Sequence, residues 1–218
     1  MGADHLGGPK GRLPALCQNR SVSDPPPPAR IVVGDLVIRR WRASDLEPLG
    51  RAIAESIEQL RPWLAWANTD RAGQGDFLTA TMLAWERGER FEYAIEDRQG
   101  TLLGSVGLMR RIGPGGLEIG YWVHSAHAGN GIAKLAAAAL TAEAFELPWV
   151  DHVEIHHDKA NDRSGAVPAG LGFVMVAEVR KPILAAADTG CDLIWRLRRE
   201  EFAGSVARSL LDEAVEPV

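Results

Sequence analysis

Gly129 and Gly131 stand one residue apart, directly before a run, IAKLAAAALTAEAF, made almost wholly of alanine and other helix formers. Glycine inside a helix costs about 0.5–1 kcal/mol relative to alanine, so a pair at a helix start means that the backbone itself is needed there. A helix start presents N–H groups with no partner inside the helix, and the macrodipole adds about half a positive charge. Phosphate is the natural guest of such a turn. A P-loop would need Lys and then Ser or Thr after the glycine, where this chain has Ile132 and Ala133. The dinucleotide fingerprint would need glycine at Lys134 and a parallel strand before it. A turn that merely joins a strand to a helix accounts for the same residues, so the short motif leaves both readings open.

The surrounding chain alternates strand-like and helix-like segments. LVIRRW reads as a short strand, and Ser44-Asp45-Leu46-Glu47 has the form of a capping box that opens a helix running to about Leu60. Pro62 breaks it before PWLAW, and a second helix is expected after Asp76, ending near Gly88. RFEYAIED, LLGSVGLMRRI and LEIGYWVH, separated by Gln99-Gly100 and Gly113–Gly116, predict an antiparallel meander. In its third strand Leu117, Ile119, Tyr121 and Val123 share one face, and Glu118, Gly120, Trp122 and His124 the other. HVEIHHD reads as a strand, NDRSGAVPAGLGF as a loop and short helix, and LIWRLRRE as a final strand. This order predicts a single α+β domain over residues 31–200, with a mixed, mostly antiparallel central sheet flanked by helices. Residues 1–30, rich in Gly, Pro and Ser and closing on Pro25–Pro28, read as a disordered, dispensable tail. Residues 201–218 read as a C-terminal helical tail.

A net charge of -5 argues against a nucleic-acid binder that works by a basic face and leaves room for an amine-bearing substrate. No segment approaches the ~20 apolar residues of a membrane span, and the N-terminus lacks the apolar stretch of a signal peptide. Cys17 and Cys191 make neither a disulfide framework nor a cysteine zinc site, so a cytoplasmic protein is expected. His152 and His156 share a strand face but lie about 13 Å apart at ~3.3 Å per residue, too far to chelate one ion. No metal is expected, and HVEIHHD reads as a surface strand with titratable side chains. Glu118, out of phase with the apolar face of its strand, reads as solvent-exposed.

GYWVHSAHAGNGIAKLAAAAL and VEIHHDKANDRSGAVPAGLGF resemble the acetyl-CoA-binding core of the GNAT superfamily of N-acetyltransferases. LRPWLAW resembles the aromatic segment of its RimJ/RimL branch, which acetylates protein N-terminal amines and small amines. The similarity runs in the same order over roughly residues 33–198. It implies an enzyme that transfers acetyl from acetyl-CoA to a primary amine by direct attack. Carried over by position, the pyrophosphate would rest on the backbone of Gly129, Asn130, Gly131, Ile132 and Ala133, with Lys134 reaching the phosphates. The strand carrying Tyr121 and Val123 would splay from its neighbour to bond the pantetheine arm, and the N–H of Val123 would stabilise the thioester oxygen. Asn161 would meet the cofactor, Ser164 would protonate the departing thiolate, and Leu171-Gly172-Phe173 matches the end of the motif. The resemblance makes Glu118 the candidate base and Trp63 and Trp66 candidate walls of the substrate pocket. Ala126 and Ala128 stand where the family usually carries Gln or Arg and often Arg, so two polar or cationic groups are missing. Those losses sustain an alternative, a non-catalytic acyl-CoA-binding regulatory domain. A protein N-terminus, an aminoglycoside-like drug and a polyamine all stay open as acceptor, as does a homodimer.

Overall fold

The computed structural model describes residues 25–67 and 70–215. Strands β1 (Arg30–Val33) and β2 (Leu36–Arg40) form a hairpin, followed by helices α1 (Leu46–Leu60) and α2 (Arg71–Glu86). The meander is β3 (Arg90–Glu96), β4 (Leu102–Met109) and β5 (Gly116–Val123). Then come α3 (Ile132–Glu146), β6 (His152–Asp158), α4 (Asp162–Ala169), β7 (Val174–Arg180), β8 (Cys191–Arg198), α5 (Arg199–Phe202) and α6 (Val206–Val215). The strands make one sheet in the order β1-β2-β3-β4-β5-β6-β8-β7. Its pairs are antiparallel except β5 with β6, which α3 joins as a crossover.

That parallel pair is short. It runs from Gly116↔His152 to Ile119↔Ile155 and ends. β5 nevertheless stays on β4 as far as Gly104↔Val123, and β6 stays on β8 as far as Asp158↔Asp192. The sheet therefore opens into a V between the C-terminal halves of β5 and β6. α3 starts just past the end of β5, so its N-terminus lies at the open end of the V.

One sheet face buries Ile38, Tyr93, Ile95, Val106, Leu108, Leu117, Ile119, Val153 and Ile155 against α3. Ala136–Ala139 and Leu140 are buried, their small side chains letting the helix lie close to the strands. A helix apolar on all sides needs cover on its far side as well. α6 supplies it, packing on α3 and β1 with Ala207 fully buried, which gives the C-terminal segment its partner. On the opposite face α1 and α2 cover β3 and β4 through Trp41, Leu49, Ile53, Leu78 and Ala94.

Several local expectations move. Ser44 does not cap α1: the cap is Asp45, whose carboxylate accepts the N–H of Arg42 at 2.8 Å and the buried Arg39 guanidinium at 2.7 Å. α2 starts earlier than expected, because Asp70 accepts the N–H groups of Ala72 and Gly73 at 3.1 and 3.0 Å. β1 and β7 were not foreseen; β7 is an edge strand with both faces largely exposed, which erases the alternation that periodicity detects. HVEIHHD is a central strand, not a surface one, with Glu154 and His157 buried.

Residues 1–24 of the expected tail lie outside the described residues, whereas its last part packs on the domain. Pro27 is buried, the Tyr93 hydroxyl donates to Pro28 O at 3.1 Å, and Arg40 N–H donates to Ala29 O at 2.9 Å. A chain starting at Ile31 should therefore melt several degrees below one starting at Pro25, since leaving the buried Tyr93 hydroxyl unpaired costs about 1–3 kcal/mol. Equal melting temperatures would show that the segment contributes nothing.

Candidate active site

The glycine turn is conformational in origin. Gly129 and Gly131 have φ of 86° and 76°, while a Cβ on either would meet nothing within 4 Å. The left-handed backbone, not crowding, requires glycine there. Gly131 caps α3 without a side chain, and the ladder begins with Leu135 N–H to Gly131 O at 2.9 Å. The N–H groups of Gly131, Ile132, Ala133 and Lys134 thus have no acceptor within the helix.

α1 holds the segment leading into this turn. Ser125 N–H donates to Ser56 Oγ and the Ser125 hydroxyl to Glu55 O, each at 2.9 Å. His124 Nδ1 accepts the N–H of Ala126 at 3.1 Å, so Nε2 carries the proton that it donates to Glu55 at 2.9 Å. Gln59 Nε2 donates to Val123 O at 3.3 Å. Glu55, Ser56 and Gln59 went unrecognised in the sequence, because they lie more than sixty residues from their partners and form no motif.

The bond from His124 N–H to Leu103 O at 2.8 Å sets the phase of the β4–β5 ladder. Trp122 and Gly120 turn their backbone groups to β4, so Tyr121 and Val123 turn theirs toward β6, beyond the end of its register. Across the V, the Tyr121 hydroxyl donates to Ser164 O at 2.8 Å and lies 3.3 Å from Ser164 Oγ. Burial pushes the Tyr121 phenol well up, only partly offset by Ser164, so it keeps its proton. Asn161 caps α4 by accepting Ser164 N–H at 3.1 Å. The structure thus brings Tyr121, Ser164 and Asn161 together, with Val123 two residues further along the same edge of β5. Lys134 rests with Nζ against Gly170 at the end of α4.

The opposite face is charged. Glu118, expected to face solvent, is 5% exposed, since Arg111 takes both its oxygens, Nε at 2.7 Å and Nη2 closer still. Glu154 is in register beside it, bonded to Arg196 Nε at 2.8 Å and to His156 Nε2 at 2.6 Å. A cavity of about 420 Å³ lies here, with Arg111, Glu154, His156 and Arg196 among its lining. Two loops meet at the open end of the V, where Ala187 N–H donates to Pro62 O at 2.9 Å. In the first loop the half-exposed Trp66 meets Trp122 of β5 edge-on at 6.3 Å, and Trp63 lies in the turn that closes α1. In the second, Lys181 Nζ sits among Asp192, Asp188 and Asp158 at 2.8, 3.4 and 3.6 Å. Among the described residues no group of His, Cys, Asp or Glu fits a metal ion, and no helix is long and apolar enough to cross a membrane.

Two tests follow from this geometry. Gly131→Ala forces a Cβ into the left-handed region at about 1–2 kcal/mol, which should lower the melting temperature by roughly 2–8 °C. An unchanged melting temperature would show that the turn tolerates side chains. Lys181→Met should destabilise the chain in a pH-dependent way. Burial pushes Asp158 up, but N–H groups of Ala160 and Thr189, the Thr189 hydroxyl and Lys181 outweigh it and hold it below the ordinary 3.8. Asp188 is likewise lowered, its burial outweighed by N–H groups of Leu184 and Ala185 and by Lys181. Burial pulls Lys181 down, and its bonds to Asp192 and Asp188 outweigh that and raise it. The carboxylate contribution is present above pH 3.8 and lost as pH falls through the folded values; that of Lys181 is present below 10.5 and lost above its raised value. The melting gap between wild type and Lys181→Met should hold at pH 7 and close as pH drops below about 4. A gap of the same size at pH 3 would remove the ion cluster as its cause.

Comparison with known proteins places this geometry. A candidate ribosomal N-acetyltransferase, YdaF of Bacillus subtilis (strain 168), is 28% identical over 151 residues, 66% of this chain and 81% of its own. RimJ of Mycobacterium smegmatis, solved with CoA-disulfide, superposes with a TM-score of 0.74 at 21% identity, covering 84% of this chain and 92% of that one. RimL, a ribosomal L7/L12 α-N-protein acetyltransferase solved with coenzyme A, superposes with a TM-score of 0.71 at 19% identity, covering 78% and 97%. The acetyltransferase (GNAT) domain model matches residues 35–174, well over half of the chain. With that match spanning the meander, the glycine turn, the V and α4, the chain belongs to the acetyltransferase (GNAT) domain family.

Proposed function

We propose that the chain transfers the acetyl group of acetyl-CoA to a primary amine by direct attack, and that its first acceptor class is a protein N-terminus in the cytoplasm. The observation that carries this reading is the V between β5 and β6, which leaves the backbone edge of Tyr121 and Val123 without a neighbouring strand, beside a helix start whose first N–H groups have no acceptor within the helix. The names of YdaF and RimL, a ribosomal N-acetyltransferase and an α-N-protein acetyltransferase, support the acceptor class. The residues present fit the donor. The N–H groups of Gly129, Asn130, Gly131, Ile132 and Ala133 would hold its pyrophosphate, and Tyr121, Val123 and Asn161 its extended arm. Ala126 and Ala128 add no charge, which leaves the cradle to backbone groups.

Bound there, acetyl-CoA supplies an activated acetyl thioester. Val123 offers its N–H to negative charge developing on an oxygen in the opening. Ser164, with the protonated Tyr121 hydroxyl 3.3 Å from its Oγ, serves as proton donor to the leaving sulfur. Glu118, the candidate base by resemblance, has its two oxygens tied to Arg111 and so borders the opening as one half of an ion pair. Trp63 and Trp66 wall the entrance from the loop after α1. An α-amino group with a pKa near 7.7–8.0 gives up its proton more readily than a lysine near 10.4, which favours N-termini. The exposed apolar residues of edge strand β7, Val174, Met175, Val176 and Val179, suit a homodimer, which light scattering would test.

Acetyl-CoA at 100 times its Kd should add about 2.7 kcal/mol of stability, read as a rise in melting temperature. No rise at millimolar concentration would sink the donor assignment. Thiol release with a panel of peptide amines, aminoglycosides and polyamines tests the rest, and binding without turnover of any amine would favour the non-catalytic alternative. Ser164→Ala should lower turnover by a factor that stays constant from pH 6 to 9, since sulfur needs its proton however the amine was prepared. A deficit that fades with rising pH would assign Ser164 elsewhere.

A further inference from the structure

Resting on the acetyl-transfer reading, we infer that His156 is the group that takes the proton from the incoming amine, with Glu154 as the positioning residue that fixes its ring. The argument begins with the end of the parallel ladder. Ile119↔Ile155 is the last pair, so Gly120 and His156 are the first residues on either side of the V. Both lie on the charged face, in phase with Glu118 and Glu154. Gly120 has no side chain, and the Met109 methyl lies where its Cβ would point, 2.9 Å away, so at this first step of the mouth the only titratable side chain of the pair is His156.

The hydrogen bonds select the tautomer. Glu154 accepts from Arg196 Nε at 2.8 Å through Oε1 and meets His156 Nε2 at 2.6 Å through Oε2. Burial pushes the Glu154 carboxyl up, but His156 and Arg196 outweigh it and hold it below its ordinary value. An ionised carboxylate only accepts, so Nε2 bears the ring proton and Nδ1 presents its lone pair. Nδ1 lies 3.8 Å from Glu118 Oε2, too long for a hydrogen bond, so its lone pair has no partner there. Arg111 from the β4–β5 loop and Arg196 from β8 line the same cavity with apolar Val176, Ala177 and Ile194. Behind them Glu92 of β3 and Asp192 of β8 act on Arg111, and His152 Nε2 lies 3.9 Å from Glu154 Oε1.

His152 is also held by a carboxylate, Asp151 at Nδ1, but it does not line the cavity; two other histidines show the contrast. His157 has both nitrogens engaged, Nδ1 with Asp158 O at 2.8 Å and Nε2 as acceptor from Trp195 Nε1 at 2.9 Å. His124 is bonded at both nitrogens as well. His156 is held at one nitrogen by a carboxylate and open at the other toward a cavity, which is the arrangement of a general base with its orienting partner.

The proton balance is complete. The ammonium loses one proton to Nδ1, which returns it to solvent. The freed lone pair forms the C–N bond to the acetyl carbon as the C–S bond breaks. A second proton leaves the nitrogen, and the thiolate takes one up through the Ser164 hydroxyl, which is replenished from solvent. Glu118, with both oxygens committed to Arg111, takes no proton in this scheme.

The test uses the full chain, acetyl-CoA and a peptide beginning with Ser or Ala, followed by thiol release from pH 6 to 9. His156→Gln should lower kcat/KM by about 100-fold or more at pH 7. That deficit should shrink as pH passes the amine pKa near 7.7–8.0. The melting shift induced by acetyl-CoA should be unchanged, and added imidazole should partly restore His156→Ala. Glu154→Gln should displace the acid limb of the wild-type profile without altering that melting shift. A wild type that releases thiol while His156→Gln keeps a pH-independent ratio to it, or matches it, overturns His156 alone. A wild type that releases none with any amine overturns the acetyl-transfer reading and this one together. Should the variants fail to fold, nitrogen NMR of the wild-type imidazole decides: the proton is expected on Nε2 at pH 7, and a proton on Nδ1 overturns the assignment.

Discussion

The site depends on an interruption of hydrogen bonding. Two parallel strands that stay together for four residues and then separate leave the backbone of Tyr121 and Val123 without a ladder partner in the middle of a sheet. Buried N–H and C=O groups left unpaired are costly, so such a gap persists only where something stabilises it. Part of the compensation is internal. Gln59 donates to Val123 O, and the Tyr121 hydroxyl spans the gap to the Ser164 carbonyl. The rest of that edge has no strand beside it. α3 connects the two diverging strands, so opening the V also sets the helix start at its mouth.

Around that gap the two faces of the sheet differ in chemistry. On one side the alanine-rich α3 lies against aliphatic strands, with its free N–H groups at the open end. On the other, Glu118 and Glu154 stand side by side with Arg111 and Arg196. Burying such charges is tolerable because each carboxylate finds a guanidinium, and His156 completes the set on Glu154. The gap thereby joins a face that offers free backbone N–H groups to one that offers paired ionic side chains and an imidazole.

Local features of the chain were legible where physics is local. Glycines before an alanine run, turn residues between alternating segments, and the phase of Glu118 against Leu117 and Ile119 predicted α3, the meander and the facing of β5. The resemblance in GYWVHSAHAGNGIAKLAAAAL pointed to the family that residues 35–174 match. Less legible were β7, whose edge position removes any periodicity, and the start of α2, which depends on one Asp70 carboxylate.

Neighbourhood was decided by tertiary structure alone. Nothing in the sequence says that Glu118 will be buried against Arg111, that Tyr121 will reach Ser164, or that His156 rather than His157 will keep an open nitrogen. Periodicity assigns a residue to a face, and it cannot state what stands opposite. Which face is covered by a helix, which strand lies alongside, and where two strands part are set by packing among segments tens of residues apart. The sequence by itself determined most of the elements and the glycine turn before α3; the register that ends at Ile119 and Ile155, with the charged row it exposes, exists only once β5, β6 and β8 have come together.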